Sequence, residues 1–198
     1  MNPNHSEVCK PSLGKSREAI EESLESIEQN IAYINKIVSD LQGYTRPLKP
    51  NIQEINLYDL INSLLAQSSV PKNIQTQRNV DANFVLKADP PYLRRALTNL
   101  IINAIQAMPN GGKLTIKSAI NDDRVSITVE DTGVGIPEEV KPNLFKPLFT
   151  TKSKGQGLCL AVVKRLVEGL NGKVSFVSQE GNGTKFTIDL PLEPKSVR

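Results

Sequence analysis

Two asparagines four residues apart carry side chains that suit a site for a metal ion and phosphate. Asn99 and Asn103 fall in a segment, 97–104, whose apolar residues recur at helical spacing, so both side chains are expected on one helix face. Gln106 continues that face one turn later. An amide oxygen is a ligand that Mg²⁺ accepts together with water and triphosphate oxygens. We therefore assign Asn103 as the candidate Mg²⁺ ligand; the alternative is a solvated helix face with two incidental asparagines.

A second segment places a carboxylate beside two glycines at the end of an alternating strand pattern. Asp131 follows the apolar positions of 125–129, and Gly133 and Gly135 come directly after it. A carboxylate there can accept a hydrogen bond from an exocyclic amino group such as that of adenine. The glycines are expected to let the backbone approach a flat ring. Alone, this segment would be a turn; its place between two other polar segments favours a nucleotide pocket.

The third segment combines lysines, hydroxyl side chains and glycines just before a predicted helix. Residues 150–154 are Thr-Thr-Lys-Ser-Lys, and glycines follow at 155 and 157. Backbone N–H groups freed at a helix start bind phosphate, and the helix dipole favours its charge. No Gly-Lys-Ser/Thr follows a strand at the required spacing, so this is not a Walker A loop. The three segments in this order predict a protein that binds ATP, with this segment as a lid over the phosphates.

The ordered segments resemble the catalytic, ATP-binding domain of sensor histidine kinases, within the wider family shared with DNA gyrase and MutL-type ATPases. Residues 99–108 resemble the N box of that family, 130–137 the first glycine box, 144–149 the phenylalanine box and 155–160 the second glycine box. In the closing strand, Thr184 would lie near the adenine. The resemblance implies ATP and Mg²⁺ as cofactors and assigns no side chain as catalytic. The ATP-binding residues that follow from these segments are Asn99, Asn103, Gln106, Asp131, Gly133, Gly135, Ile136, Phe149, Thr150, Thr151, Lys152, Gly155, Gly157, Leu158 and Thr184.

A heptad pattern precedes these segments. Between about residues 16 and 44, apolar residues alternate four and three apart, at Ile20, Leu24, Ile27, Ile31, Ile34, Val38 and Leu41. A long helix with this stripe is expected to pair in a bundle or coiled coil, which favours a homodimer. The alternative is a helix lying on its own globular domain. This helix, which ends at Tyr44-Thr45-Arg46-Pro47, resembles the second helix of the dimerisation and phosphotransfer hairpin of histidine kinases.

The remaining pattern predicts an α+β fold. Asn56 is a plausible N-cap, Pro90 and Pro91 open a helix that runs to about Met108, and another helix runs from Gly157 to about residue 168. Strands are expected around 84–86 (buried), 114–116, 125–129, 174–176 and 186–190. We expect a two-layer α/β sandwich: a mixed, mainly antiparallel sheet covered by helices, and preceded by a long amphipathic helix.

The predicted organisation has five parts. These are a disordered or non-native tail (1–15), the dimerisation and phosphotransfer helix (16–46), a linker (47–55), the ATP-binding domain (56–192) and a second tail (193–198).

Charge and composition limit which classes of partner and which cellular compartment fit this sequence. The net charge of +3 comes from 24 Lys and Arg against 21 Asp and Glu, which does not indicate a nucleic-acid binder. Cys9 and Cys159 have neither disulfide-framework nor zinc-site spacing, so a reducing cytosol fits. No apolar run reaches the ~18 residues of a membrane span. We expect a cytoplasmic protein, or the cytosolic part of a membrane-bound sensor whose anchor is outside this chain.

The sequence departs from the family pattern at several positions. Cys159 stands where glycine is usual and Gln156 where threonine is frequent, while Asn171 and Gly172 replace a His-Gly-Gly turn. We expect the first helix of the hairpin, which carries the phosphoacceptor histidine, to be missing, and the one histidine, His5, to be a disordered terminal residue rather than the acceptor. We therefore expect a kinase domain that positions MgATP for transfer to a histidine missing from this chain, and then to a response regulator receiver domain.

Two other functions remain open. Related ATPases use a glutamate one helical turn before the metal-site asparagine to activate water, and this chain has Asn99 there, which favours a kinase over a hydrolase. The absence of a usable histidine also allows a non-catalytic module for ATP binding or dimerisation.

Overall fold

The chain divides into two compact units, Met1–Gln42 and Gly43–Arg198. The computed structural model describes residues 20–28, 30, 31, 34, 35, 38, 47–149 and 157–193. Within these ranges, no helix is both long and apolar enough to cross a bilayer.

The described residues of the first unit are helical, in agreement with the heptad pattern. Six of the stripe residues have exposed fractions between 45% and 59%: Ile20, Leu24, Ile27, Ile31, Ile34 and Val38. The predicted ends of this helix, and Leu41, lie outside the described residues. The apolar stripe is therefore a surface of this unit.

The second unit contains three helices and seven strands in its described part. In chain order these are β1 (Gln53–Asn56), α1 (Leu57–Gln67), β2 (Ile74–Asn79), β3 (Val85–Ala88), α2 (Pro90–Ala107), β4 (Gly112–Asn121), β5 (Arg124–Asp131), a 3₁₀ turn (Lys141–Asn143), α3 (Cys159–Gly169), β6 (Lys173–Gln179) and β7 (Gly183–Pro191).

The main sheet has the strand order β2-β4-β5-β7-β6. Strand β2 pairs with β4 in parallel, and the other neighbours are antiparallel. Val125, Ile127 and Val129 of the central strand β5 are at most 1% exposed, because α2 and α3 pack together and cover that face. The predicted two-layer α+β sandwich with a mixed, mainly antiparallel sheet is confirmed.

The predicted starts of α1 and α2 are confirmed, whereas the helix expected from Gly157 begins two residues later, at Cys159. The Asn56 side chain accepts a hydrogen bond from the Asp59 N–H at 2.9 Å and so caps α1. Asp89 caps α2 by accepting from the Tyr92 N–H at 2.9 Å, with prolines in the first turn, where their missing N–H costs nothing.

Three strand assignments differ from the sequence prediction. The strand expected at 84–86 lies at Val85–Ala88 and is only half buried, since Val85 is 50% exposed. It pairs with β1 in a separate two-stranded sheet, which leaves one side open. Strands β1 and β2 were not predicted. Strand β2 has the sequence Ile-Gln-Thr-Gln-Arg-Asn, and only Ile74 is buried. Because the other five residues are polar, the sequence lacks the apolar alternation that signals a strand.

Within the second unit, the segment before β1 is held against the start of α2 by Asp89 and Tyr92. The Asn51 N–H donates to Asp89 Oδ2 at 2.7 Å, while the other carboxylate oxygen caps α2. The Lys49 N–H donates to the Tyr92 hydroxyl at 3.2 Å. Asp89 is only 4% exposed, so both of its hydrogen bonds are shielded from competing water.

We expect Asp89→Ala to lower the free energy of unfolding by about 2 to 3 kcal/mol, because it removes a helix cap and leaves the Asn51 N–H without its acceptor. Asp81→Ala is the matched control, since the exposed Asp81 accepts one turn hydrogen bond, from the Asn83 N–H at 2.8 Å. That control should cost only about 0.5 kcal/mol. Denaturant unfolding measures both, and equal losses would contradict the role given to Asp89.

Candidate nucleotide-binding site

Asp131 ends β5 with its side chain buried and oriented by backbone donors. Asp131 is 5% exposed, and its Oδ1 accepts hydrogen bonds from the Gly133 N–H at 2.9 Å and from the Thr184 N–H at 3.3 Å. Thr184 lies directly opposite Asp131 on β7. Hydrogen bonds to one oxygen fix the orientation of the carboxylate, as a base-recognising acceptor requires.

The glycines beside Asp131 have a packing role that the sequence analysis did not anticipate. A Cβ on Gly133 would lie 2.3 Å from the Ala107 carbonyl oxygen. A Cβ on Gly135, whose φ is +71°, would lie 2.1 Å from the Gln179 carbonyl oxygen. These glycines therefore let the loop press against the end of α2 and the end of β6.

Ser178 joins three segments at this point, and the sequence analysis missed it. Its Oγ accepts from the Ile136 N–H at 2.9 Å, donates to the Gly183 carbonyl at 3.0 Å and lies 2.9 Å from Thr184 Oγ1. Ser178 follows Val174 and Phe176 on the inward face of β6. A polar residue at a predicted inward position was the available signal. We call Asp131, Gly133, Ile136, Ser178 and Thr184 the Asp131 cluster.

Helix α2 contacts the loop after β5 through its last backbone carbonyl, and the start of α3 through Asn99. The Val134 N–H donates to the Ala107 carbonyl at 3.0 Å, which joins the loop after β5 to the last residue of α2. Asn99 donates from Nδ2 to the Cys159 carbonyl at 3.4 Å. Asn99 and Asn103 are half-buried, while Gln106 is exposed.

The phenylalanine box and the second glycine box meet beside the sheet. Phe145 contacts Phe176 edge-on, with ring centroids 5.8 Å apart, which anchors the segment before the predicted lid. Phe149 is half-buried. Gly157 has φ +64°, and a Cβ there would lie 2.5 Å from the Phe149 nitrogen. Gly157 therefore packs on the backbone of the phenylalanine box.

The remaining lid residues are divided between buried positions and positions that the structure does not describe. Leu158 is 1% exposed, so its side chain belongs to the core, and its carbonyl accepts from the Val162 N–H at 2.9 Å at the start of α3. Cys159 is partly buried. The predicted nucleotide residues Thr150, Thr151, Lys152 and Gly155 lie outside the described residues, as does Gln156.

Gly183→Ala should be much more destabilising than Gly181→Ala. Both glycines have positive φ, +88° and +78°, so both substitutions introduce backbone strain. A Cβ on Gly183 would also lie 2.0 Å from the Asp131 carbonyl oxygen, whereas a Cβ on Gly181 would meet nothing within 4 Å. We expect losses of about 4 and about 1 kcal/mol in the free energy of unfolding, respectively. Thermal unfolding compares the two, and similar midpoints would contradict the close approach of β7 to Asp131.

Comparison with known proteins agrees with this geometry. Residues 88–194 match the family model described as histidine kinase-, DNA gyrase B-, and HSP90-like ATPase. The sensor histidine kinase ZraS of Salmonella typhi is 39% identical over 166 residues, which is 80% of this chain and 35% of that relative. The chain thus spans about a third of the length of this curated relative.

Solved structures of histidine kinases are also similar to this chain. The catalytic domain of histidine kinase ThkA is 31% identical, with a TM-score of 0.67, covering 74% of this chain and 99% of that one. A complex of histidine kinase ThkA with response regulator protein TrrA has a TM-score of 0.75 at 27% identity, covering 91% of this chain and 53% of that one. The chain therefore belongs to the histidine kinase-, DNA gyrase B- and HSP90-like ATPase family, and its second unit is similar to histidine kinase catalytic domains.

Proposed function

We propose that this chain is the ATP-binding catalytic part of a two-component sensor histidine kinase. It positions MgATP for phosphoryl transfer to a histidine outside this chain, and the phosphoryl group then passes to a response regulator receiver domain. Membership of the ATPase family implies the use of ATP. The observation that carries the proposal is the Asp131 cluster, in which a buried carboxylate is held by two backbone N–H groups.

Asp131 recognises the adenine in this proposal. A carboxylate oxygen accepts a hydrogen bond from an exocyclic amino group, and burial strengthens that bond because little water competes for it. Thr184, which is 5% exposed and directly opposite Asp131 on β7, contributes a hydroxyl to the same recess.

Asn103 is the proposed Mg²⁺ ligand, and the donor set of the site fits this ion. No group of three or more His, Cys, Asp or Glu side chains in the described part of the chain could hold a metal by itself. Mg²⁺ suits such a site because it is bound through one or two protein oxygens plus substrate phosphates and water. Bound there, the ion would neutralise phosphate charge, and Lys152 of the predicted lid would supply further positive charge.

Asn99 favours phosphoryl transfer over hydrolysis in this proposal. An amide cannot take a proton from water at neutral pH, so no side chain at this position activates water. The Asn99 amide instead donates to the Cys159 carbonyl at 3.4 Å, at the first residue of α3. A neutral imidazole needs no such base, because it is already a nucleophile.

The first unit supplies the proposed homodimer contact. Its stripe of Ile, Leu and Val side chains is about half exposed and spaced four and three apart, which is the spacing of a coiled-coil seam. A second copy of this helix would bury the stripe. We place the assembly in the cytoplasm, with a response regulator receiver domain as the partner; the solved complex of ThkA with TrrA supports that class of partner.

Phosphoryl transfer to a separate hairpin tests the proposal. The full chain is incubated with γ-labelled ATP and a separately produced dimerisation and phosphotransfer hairpin from a relative. We expect label on the hairpin, none when the hairpin histidine is replaced by glutamine, and at least about tenfold less with Asp131→Asn in the chain. ATP binding without transfer would favour the non-catalytic ATP-binding or dimerisation module. Absence of ATP binding would contradict the proposal itself.

Asn99→Glu should create ATP hydrolysis that Asn99→Gln does not. The two side chains have the same length, but only the carboxylate can take a proton from water, so we expect a rate at least about tenfold above that of the glutamine variant. Steady-state phosphate release at saturating MgATP measures this difference. Equal rates for the two variants and for the wild type would contradict our assignment of Asn99.

A further inference from the structure

Three polar side chains form a row across neighbouring strands at one end of the sheet. Ser178 on β6 lies opposite Thr184 on β7, and Thr184 lies opposite Asp131 on β5. Directly paired residues of antiparallel strands point to the same face, so the three side chains are neighbours. All three residues are at most 9% exposed. The hydroxyl of Ser178 is therefore part of a shielded network.

The hydrogen atoms of this network can be assigned from donor chemistry. The Gly183 carbonyl can only accept, so its 3.0 Å contact with Ser178 Oγ requires the Ser178 hydrogen. The 2.9 Å contact between Ser178 Oγ and Thr184 Oγ1 must then use the Thr184 hydrogen. The Ile136 N–H supplies the third contact, at 2.9 Å, and fills the remaining lone pair of Ser178 Oγ.

This assignment sets the polarity of Thr184. With its hydrogen donated to Ser178, the Thr184 hydroxyl presents only lone pairs to any other neighbour. Next to it stands the Asp131 carboxylate, which is also an acceptor. Two adjacent acceptors attract the 6-amino group of adenine and repel the 6-keto oxygen of guanine, so this end of the site favours adenine over guanine.

We propose that Ser178 is a positioning residue that sets the acceptor polarity of Thr184 and thereby the preference of the site for a purine with an amino group, rather than a keto oxygen, at its 6-position. The proposal rests on the proposed nucleotide site. Lys141 supports Ser178 from the other side, since its Nζ donates to the Ser178 carbonyl at 2.7 Å. The serine is thus held at its hydroxyl and at its backbone.

A purely structural role for Ser178 would have a different signature. Loss of packing would reduce the fraction of binding-competent protein, which weakens the apparent binding of every nucleotide by one common factor. The ratio of dissociation constants for adenine and guanine nucleotides would then be unchanged. A positioning role changes the ratio itself, because Thr184 regains the freedom to donate to a keto oxygen.

The test is equilibrium titration of the full chain with the imido analogues of ATP and GTP, in the presence of Mg²⁺. Ser178→Ala should lower the preference for the adenine analogue by about three- to tenfold. Ser175→Ala, an exposed serine on the same strand, is the matched control and should retain the wild-type ratio. Ser178→Thr keeps a hydroxyl at this position and should retain most of the preference for the adenine analogue.

Two further variants keep the proposal open to refutation. If Ser178→Ala does not fold, Ser178→Cys replaces it, since a thiol is a weak donor and acceptor and should give the same direction of change. In a Thr184→Val background, Ser178→Ala should have no further effect on the ratio. An unchanged ratio in folded Ser178→Ala or Ser178→Cys overturns the proposal, whereas failure of the wild type to bind the ATP analogue defeats the proposed nucleotide site itself.

Discussion

The orientation of one buried carboxylate determines the geometry of the site. Asp131 Oδ1 accepts from the N–H groups of Gly133 and Thr184, so it fixes the loop after β5 and the start of β7 together. A buried carboxylate is costly unless its lone pairs are satisfied, and backbone donors satisfy them without adding mobile side chains. The loop conformation and the strand pairing at this end of the sheet therefore depend on each other.

Close backbone contacts around Asp131 make this arrangement specific. Gly133 presses on the end of α2, Gly135 on the end of β6, and Gly183 on Asp131 itself, at distances where a Cβ would fall within 2.3 Å of a carbonyl oxygen. The glycine pattern thus joins α2 and three strands of the sheet at one place. A ligand that meets a site of this kind finds its acceptors already oriented, which reduces the ordering that binding requires.

Sequence patterns predicted the parts of the fold that have strong local signals. The Asn56 cap, the prolines that begin α2 and the alternating strands β5 and β7 follow from local chemistry. Strand β2 was missed because only Ile74 of its six residues is buried, and its pairing partner β4 is remote in sequence. Ser178 was missed for a related reason: its role depends on Ile136 and Thr184, which only the folded sheet brings together.

The central claim is that the Asp131 cluster is a preformed adenine recess, and the crystal structure of the chain with an ATP analogue and Mg²⁺ tests it most directly. Our account requires the exocyclic amino group within hydrogen-bonding distance, about 3 Å, of an Asp131 oxygen. The backbone of Gly133, Ile136 and Thr184 should move by less than about 1 Å. A base bound elsewhere, or a cluster that rearranges to receive it, would contradict the account.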